Sequence, residues 1–193
     1  MEALAAGAVI GLSVAAPPGP NAMVCISRTL AGGRGAGFRC GLGAASAHAV
    51  YATVAVLGAG RASGVLAAGH DAIGVVGGLV LVGLGVRLGL APTSQAVAPS
   101  PTRAFALTLL VGLANPLTLL YFAAAVTLGA VPDDGGTQVV AGVFVGSALW
   151  WTLLASGVAA LGNRLDARWL AVAGRVAAGA IVGFGVLAVV TAL

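Results

Sequence analysis

Long apolar runs and short polar segments alternate along the whole chain. A helix needs about 20 apolar residues to cross a bilayer. Six runs in the 193 residues meet that length, at 3–27, 41–60, 72–90, 104–131, 139–161 and 170–193. Two of them carry one arginine near an end, Arg87 and Arg175, where a long side chain can snorkel to the headgroups. We therefore predict an all-α membrane protein with six transmembrane helices and connections too short for a soluble domain.

Composition supports a chain that lies in the lipid bilayer. It is 60% hydrophobic and 7% charged, with a mean hydropathy of +1.08. Soluble proteins carry about 25% charged residues, so a soluble enzyme or a nucleic-acid-binding protein is not expected. Small residues four apart let membrane helices approach closely, within one chain or between copies in a homo-oligomer. Such glycine pairs occur at Gly74/Gly78, Gly85/Gly89 and Gly179/Gly183.

The arginines predict the orientation of the chain. Eight of the nine lie beside the first, third and fifth connections, and Arg28, Arg34 and Arg39 all flank the first. Connections rich in arginine stay in the cytoplasm. We interpret these three as topology determinants of a cytoplasmic loop, and we expect both termini outside.

Two short motifs recur in the same order in the two halves of the chain. "GPNAM" (19–23) and "ANPLT" (114–118) fall in spans one and four, and "VGLGV" (82–86) and "VGFGV" (182–186) fall in spans three and six. We predict one membrane domain, 1–193, made of two three-helix repeats, 1–90 and 104–193, with a cytoplasmic linker at 91–103. Three spans per repeat make the second repeat enter from the opposite side, which is an inverted-topology repeat.

Spans one and four both contain residues that break helices. Proline lacks an amide hydrogen and costs about 3 kcal/mol in a helix interior. Broken helices at mid-depth are tolerated where they are buried in protein or line a watery cavity. We predict broken helices in these spans, with oriented ends for a substrate's carboxylate and ammonium. The candidate substrate-binding residues are Pro18, Gly19, Pro20, Asn21, Asn115 and Pro116.

Other chemistry-bearing residues are few. His48 titrates nearest physiological pH and lies well inside span two. It is a candidate for proton coupling, and the alternative is a neutral histidine hydrogen-bonded across helices. Ser46 is two residues away and cannot face it on a helix, so no catalytic pair is expected. Cys25 and Cys40 form no CxxC motif or cysteine–histidine cluster, and no metal site or cofactor is predicted.

The segment "PPGPNAMVCISRTLAGGRGAGFRCGLGAASAH" (17–48) resembles the first hairpin of the LysE/RhtB amino-acid exporters. That family shows a Pro-Gly-Pro-Asn motif in span one and an Asn-Pro in span four, which match Pro18–Asn21 and Asn115-Pro116. The resemblance implies a bacterial inner-membrane exporter of amino acids or similar metabolites, driven by the proton gradient. The chain departs from the family at Leu117, often lysine, and at His48, often aspartate.

The absence of acids inside the spans predicts a neutral substrate. A cationic side chain at mid-membrane would need a counter-charge, since an isolated charge there costs about 2.5–3.5 kcal/mol. A zwitterion needs none, so we predict a neutral amino acid. Two alternatives stay open: a thiol-disulfide electron carrier of the CcdA/DsbD type, and an exporter of another solute such as a metal ion.

Overall fold

A computed structural model describes residues 1–17, 19–58, 63–90, 101–127, 136–162 and 167–191. The described residues are almost entirely helical, which confirms the all-α prediction. Their seven helices are α1 (Glu2–Ala15), α2 (Pro20–Gly58), α3 (Ser63–Leu90), α4 (Pro101–Ala114), α5 (Pro116–Thr127), α6 (Gly136–Gly162) and α7 (Ala167–Thr191).

Two of these helices are long and apolar enough to cross a membrane by themselves, Pro20–Leu57 and Gly136–Leu161. Four shorter apolar stretches accompany them among the described residues: Glu2–Ala15, Val75–Arg87, Thr102–Ala114 and Ala178–Thr191. The shortness of the first and third stretches has a local cause, because each ends at a proline-containing break.

The first connection differs from its prediction. We expected a loop over residues 28–40, but α2 stays helical on both sides of Gly33. Gly33 alone reverses the chain, with φ 75° and ψ −178°, a conformation open almost only to glycine. The two arms of α2, 20–32 and 34–58, then meet where Gly37 packs against Thr29.

Other helix bounds exceed the predicted spans. α3 begins at Ser63 rather than at residue 72, so Asp71 lies on a helix and not in a connection. α4 begins at Pro101, within the segment predicted as a linker, since proline suits the first position of a helix. The remainder of that linker, 91–100, lies outside the described residues.

Two helix pairs run parallel and use glycine to bring their backbones together. Gly7 and Gly11 of α1 pack on the carbonyls of Val139 and Val143 of α6. In the second pair, Gly43 of α2 packs on the carbonyl of Phe105 of α4. A larger residue at any of these glycines would push the helices apart. The sequence analysis did not identify these three helix-packing positions.

α3 and α7 run antiparallel and contact each other reciprocally. A Cβ on Gly78 would lie 2.6 Å from the carbonyl oxygen of Gly185, and a Cβ on Gly185 would lie 2.6 Å from that of Gly78. Likewise a Cβ on Gly85 would lie 2.9 Å from the amide nitrogen of Val182, and a Cβ on Gly185 would lie 2.8 Å from that of Val82. Of the glycine pairs noted in the sequence, Gly179 and Gly183 instead face open space.

Small residues make up much of the buried core between these helices. The larger cluster joins both arms of α2 to α3, α4, α6 and α7 through residues that include Val24, Ala44, Leu81, Val111 and Ile181. A second cluster lies around Phe122, whose ring stacks on Tyr51 with centroids 6.1 Å apart. The core thereby fixes the ends of both helix breaks against their neighbours.

Candidate functional site

The first break separates α1 from α2. α1 ends at Ala15, and the amide of Ala16 still bonds to the carbonyl of Leu12 at 3.0 Å. α2 starts at Pro20, and the carbonyl of Gly19 accepts the amide of Met23 at 3.2 Å. Gly19 therefore caps a helix whose first residue is a fully buried proline. Pro18 lies outside the described residues.

Asn21 occupies the first turn of α2 and is 5% exposed. Its side-chain oxygen Oδ1 is the one buried side-chain polar atom of the described residues that has no hydrogen-bond partner. Leaving such a carbonyl buried and unpaired costs about 1–3 kcal/mol. The amides of Asn21 and Ala22 also lack an acceptor within the helix, because they belong to its first turn. The break thus presents an acceptor and donors side by side.

The second break is at Asn115, between α4 and α5, and its asparagine behaves differently. Oδ1 of Asn115 accepts the amide of Leu117 at 3.1 Å, and its carbonyl accepts the amides of Thr118 and Leu119. Asn115 is therefore the N-cap of α5, and Pro116 is the first residue of that helix. The two asparagines predicted to be equivalent differ here, since Gly19 is the residue that caps α2.

The last carbonyls of α4, before the second break, have three different surroundings. Pro116 has no amide hydrogen, and Gly112 instead accepts the amide of Asn115 at 3.3 Å. The hydroxyl of Tyr51 donates to the carbonyl of Leu113 at 2.6 Å. The carbonyl of Ala114 faces Gly77 of α3, where a Cβ would lie 2.5 Å from it.

Gly112 brings the two breaks together. A Cβ at this position would lie 3.0 Å from Nδ2 of Asn21 and 2.6 Å from Cβ of Ala47. Asn21 therefore packs against the last turn of α4, immediately before Asn115. The first break therefore lies next to the second in the structure, and glycine at 112 makes the space for this contact.

His48 takes part in a buried polar cluster between α2 and α6. Its Nδ1 lies 2.8 Å from Oγ of Ser147, and Nε1 of Trp151 donates to the same Oγ at 3.1 Å. His48 is 3% exposed, and Ser147 is fully buried. Because Trp151 can only donate, the one hydroxyl proton of Ser147 is free to point at His48. In that orientation Nδ1 is the acceptor and the ring proton lies on Nε2, whereas in the other tautomer Nδ1 donates to the same oxygen.

Hydrolases use a serine beside a histidine, but in this pair both side chains are buried. The hydroxyl of Ser147 has no exposed surface through which a substrate could reach it. Ser46, the serine nearest to His48 in sequence, donates instead to the carbonyl of Leu42 at 2.9 Å. The histidine is therefore hydrogen-bonded across helices, an arrangement that both roles predicted for it allow.

Cys25 and Cys40 are both free and buried, one on each arm of α2. A thiol-disulfide carrier has to present its thiols to a partner, and these are 2% and 0% exposed. No group of three metal-ligating side chains occurs among the described residues. Arg34 and Arg39 are exposed beside the Gly33 turn, and Arg28 is partly so.

Several polar residues that hold these helices together had no signal in the sequence. Ser147 and Tyr51 bond to partners 99 and 62 residues away along the chain. Thr108 donates to the carbonyl of Cys40 at 2.6 Å, which ties α4 to α2. Hydroxyl groups in apolar helices are common, and only the fold shows which of them bridge two helices.

A family model described as "LysE type translocator" matches residues 12–192 of the chain. That range covers both helix breaks and the His48–Ser147 pair. No curated protein and no solved structure matches the sequence.

Proposed function

This chain belongs to the LysE type translocator family, and we propose that it exports neutral amino acids or similar small zwitterions by alternating access, driven by the proton gradient. Members of the family are transporters, which suggests a membrane protein that exports amino acids or related solutes.

One observation carries the proposal: the unpaired oxygen of Asn21. A buried acceptor without a partner is costly, and native proteins satisfy nearly all such groups. Its cost is explained if a ligand supplies the missing hydrogen. An ammonium is a strong donor for a neutral carbonyl oxygen, since charge-assisted hydrogen bonds are about twice as strong as neutral ones.

The amides of the same helix turn supply the complementary half of the site. The N-terminus of a helix attracts anions through its free amides and its partial positive charge. α2 begins at Pro20, so the free amides of Asn21 and Ala22 belong to the same helix turn as the side chain with the unpaired oxygen. A carboxylate on these amides and an ammonium on Oδ1 would together bind the backbone of an amino acid.

An inverted repeat gives this site access from both sides. When "VGLGV" is aligned with "VGFGV", Gly85 corresponds to Gly185 and Val82 to Val182. The contact of Gly85 with Val182 therefore has an equivalent in the contact of Gly185 with Val82. The parallel pairs α1–α6 and α2–α4, and the antiparallel pair α3–α7, have the directions that six alternating spans require. Two related halves support two related conformations, each open to one side.

His48 is suited to couple a proton to that movement. With the ring proton on Nε2, its Nδ1, 2.8 Å from Oγ of Ser147, would accept the hydroxyl proton of that serine. Protonation of Nδ1 would turn it into a donor, and the hydroxyl of Ser147 would have to reorient while still accepting from Trp151. The α2–α6 contact would therefore depend on the charge state of His48. For this reason His48 is the proposed proton-coupling residue.

The proposed substrate is neutral because the spans supply no counter-charge. The six predicted spans contain no aspartate or glutamate. Expelling a cation against an inside-negative potential would also cost about 2.3 kcal/mol per charge per 100 mV. A zwitterion has neither cost.

The proposal is tested by efflux from cells preloaded with dipeptides of leucine, threonine, lysine or arginine, with and without the protein. Leucine or threonine should leave faster when the protein is present, and an uncoupler should abolish the difference. Faster exit of lysine and arginine alone would show that the neutral-substrate assignment is wrong. Equal exit of all four with and without the protein would contradict amino-acid export.

A further inference from the structure

A groove runs between α3 and α7, away from both helix breaks. It encloses about 340 Å³ and is lined by eight residues, of which Arg175 is the only charged one. Gly85 and Gly89 form one wall, and Ala178, Gly179 and Val182 form the other. The lining is otherwise apolar.

Glycine creates the free space in this groove. A Cβ on Gly179 would meet no atom within 4 Å, and one on Gly89 would meet only Cβ of Ala178 at 3.4 Å. Deeper along the same helix pair, Gly78 and Gly185 are in close backbone contact. Gly85 is also close to α7, since a Cβ there would lie 2.9 Å from the carbonyl oxygen of Ala178. The helices are therefore in contact up to Gly85 and leave a slot only beyond it, at Gly89 and Gly179 next to Arg175.

Arg175 gives the groove a charged end. It is exposed, and no carboxylate of the described residues pairs with it. The arginine distribution predicts that this end of the helix pair faces the cytoplasm. The cytoplasmic surface of a membrane carries anionic phospholipids, and basic pockets between helices on that side bind their headgroups.

We propose that this groove is a binding site for an anionic glycerophospholipid, with one acyl chain in the glycine-lined slot and the headgroup phosphate on Arg175. Two features of the groove select that ligand together. The apolar slot needs an occupant with a narrow hydrocarbon chain, and the unpaired guanidinium needs a negative charge at the end of that chain. A small anion satisfies only the second need. An apolar helix of another protein satisfies only the first.

The site is independent of the proposed transport route, since its lining shares no residue with either helix break. Substitutions in the groove are expected to change the affinity for lipid and not the choice of substrate. A bound lipid would also bridge α3 and α7 where their backbones have separated.

The test is native mass spectrometry of the protein in micelles with added phosphatidylglycerol or phosphatidylcholine. Wild type should retain one phosphatidylglycerol, with about a fivefold preference over phosphatidylcholine, the factor expected for one basic residue near anionic lipid. Arg175→Gln should lose that preference, and Arg175→Lys should keep it. Glycerol 3-phosphate, which has a phosphate but no acyl chain, should not compete.

Matched variants separate filling of the groove from damage to the helix. Gly179→Leu places a side chain in the open slot and should abolish retention of both lipids. Gly183→Leu is the control, because Gly183 also faces open space but does not line the groove. Arg87→Gln is the matched charge control, since Arg87 is exposed on α3 outside the lining.

Three results would overturn the proposal. One is equal retention of the two phospholipids by wild type. Another is an unchanged preference in Arg175→Gln, which remains informative if Gly179→Leu does not fold. The third is a protein dimer that Gly179→Leu converts to monomer with no lipid adduct in either, because a second copy would then cover the groove.

Discussion

At the scale of single residues, the two asparagines at the helix breaks have separate roles that their similar motifs conceal. Asn115 uses its side-chain oxygen to cap α5, so that oxygen is already satisfied. Asn21 has a buried oxygen with no partner. One side chain therefore stabilises the fold, and the other keeps an unsatisfied group that a ligand can complete.

This difference predicts opposite effects on stability. Asn115→Ala removes an N-cap and should destabilise the protein by about 0.5–2 kcal/mol, whereas Asn115→Asp keeps an acceptor for the amide of Leu117. Asn21→Ala removes an unpaired buried carbonyl and should leave the thermal midpoint unchanged or raised. Thermal unfolding in detergent measures both. A fall for Asn21→Ala as large as that for Asn115→Ala would show that Asn21 is structural.

His48 provides a second test at this scale. Asn at this position can still accept the hydroxyl of Ser147 but cannot titrate near neutral pH. We expect His48→Asn to fold and to lose the dependence of efflux on the proton gradient, as measured by efflux at two external pH values with and without an uncoupler. Gradient dependence equal to that of wild type would remove His48 from the coupling step.

At the scale of helices, the sequence predicted the positions where the chain breaks but not how sharply it turns. Prolines with a neighbouring asparagine marked both breaks, because the missing amide hydrogen is a local property. The loop predicted over residues 28–40 was wrong because one glycine at an unusual φ suffices to reverse a helix. The bonds of Ser147, Tyr51 and Thr108 depend on which helices meet, and no local pattern encodes that.

The Gly33 turn makes a prediction with a close control. Gly33→Ala forces a side chain into a conformation nearly restricted to glycine and should cost about 1–3 kcal/mol. Gly35→Ala, two residues later, lies in helical backbone with its nearest atom, on Arg39, 4.0 Å away, and should be neutral or stabilising by up to about 1 kcal/mol. Urea or thermal unfolding compares them. Equal effects would mean that the turn is not at Gly33.

At the scale of the whole molecule, the helix directions are compatible with the proposed six alternating spans, and the arginine positions predict which side faces the cytoplasm. Helices α1 and α6 run parallel, as do α2 and α4, while α3 and α7 oppose each other. Six spans crossing in alternation produce that set of directions, and the arginines beside the odd connections assign one side to the cytoplasm. The orientation and the inverted repeat are parts of one proposal.

Reporter fusions check this orientation without any transport assay. Fusions after Gly33 or Ser100 should report the cytoplasm, and a fusion after Asp134 should report the periplasm. The physical reason is the retention of arginine-rich connections on the cytoplasmic side. The reverse pattern would put the α2 N-terminus and the groove beside Arg175 on the wrong sides of the membrane for the roles proposed above.

The central claim is that the first helix break binds the exported substrate through Asn21, and neutral amino-acid efflux by Asn21→Ala tests it most directly. Cells loaded with a leucine or threonine dipeptide should export the amino acid at the rate of cells lacking the protein when they carry Asn21→Ala at wild-type membrane levels. Ser27→Ala is the control on the same arm of α2, because its hydroxyl is satisfied within the helix at 2.9 Å by the carbonyl of Val24, and it should export normally. Wild-type efflux by Asn21→Ala would contradict the claim.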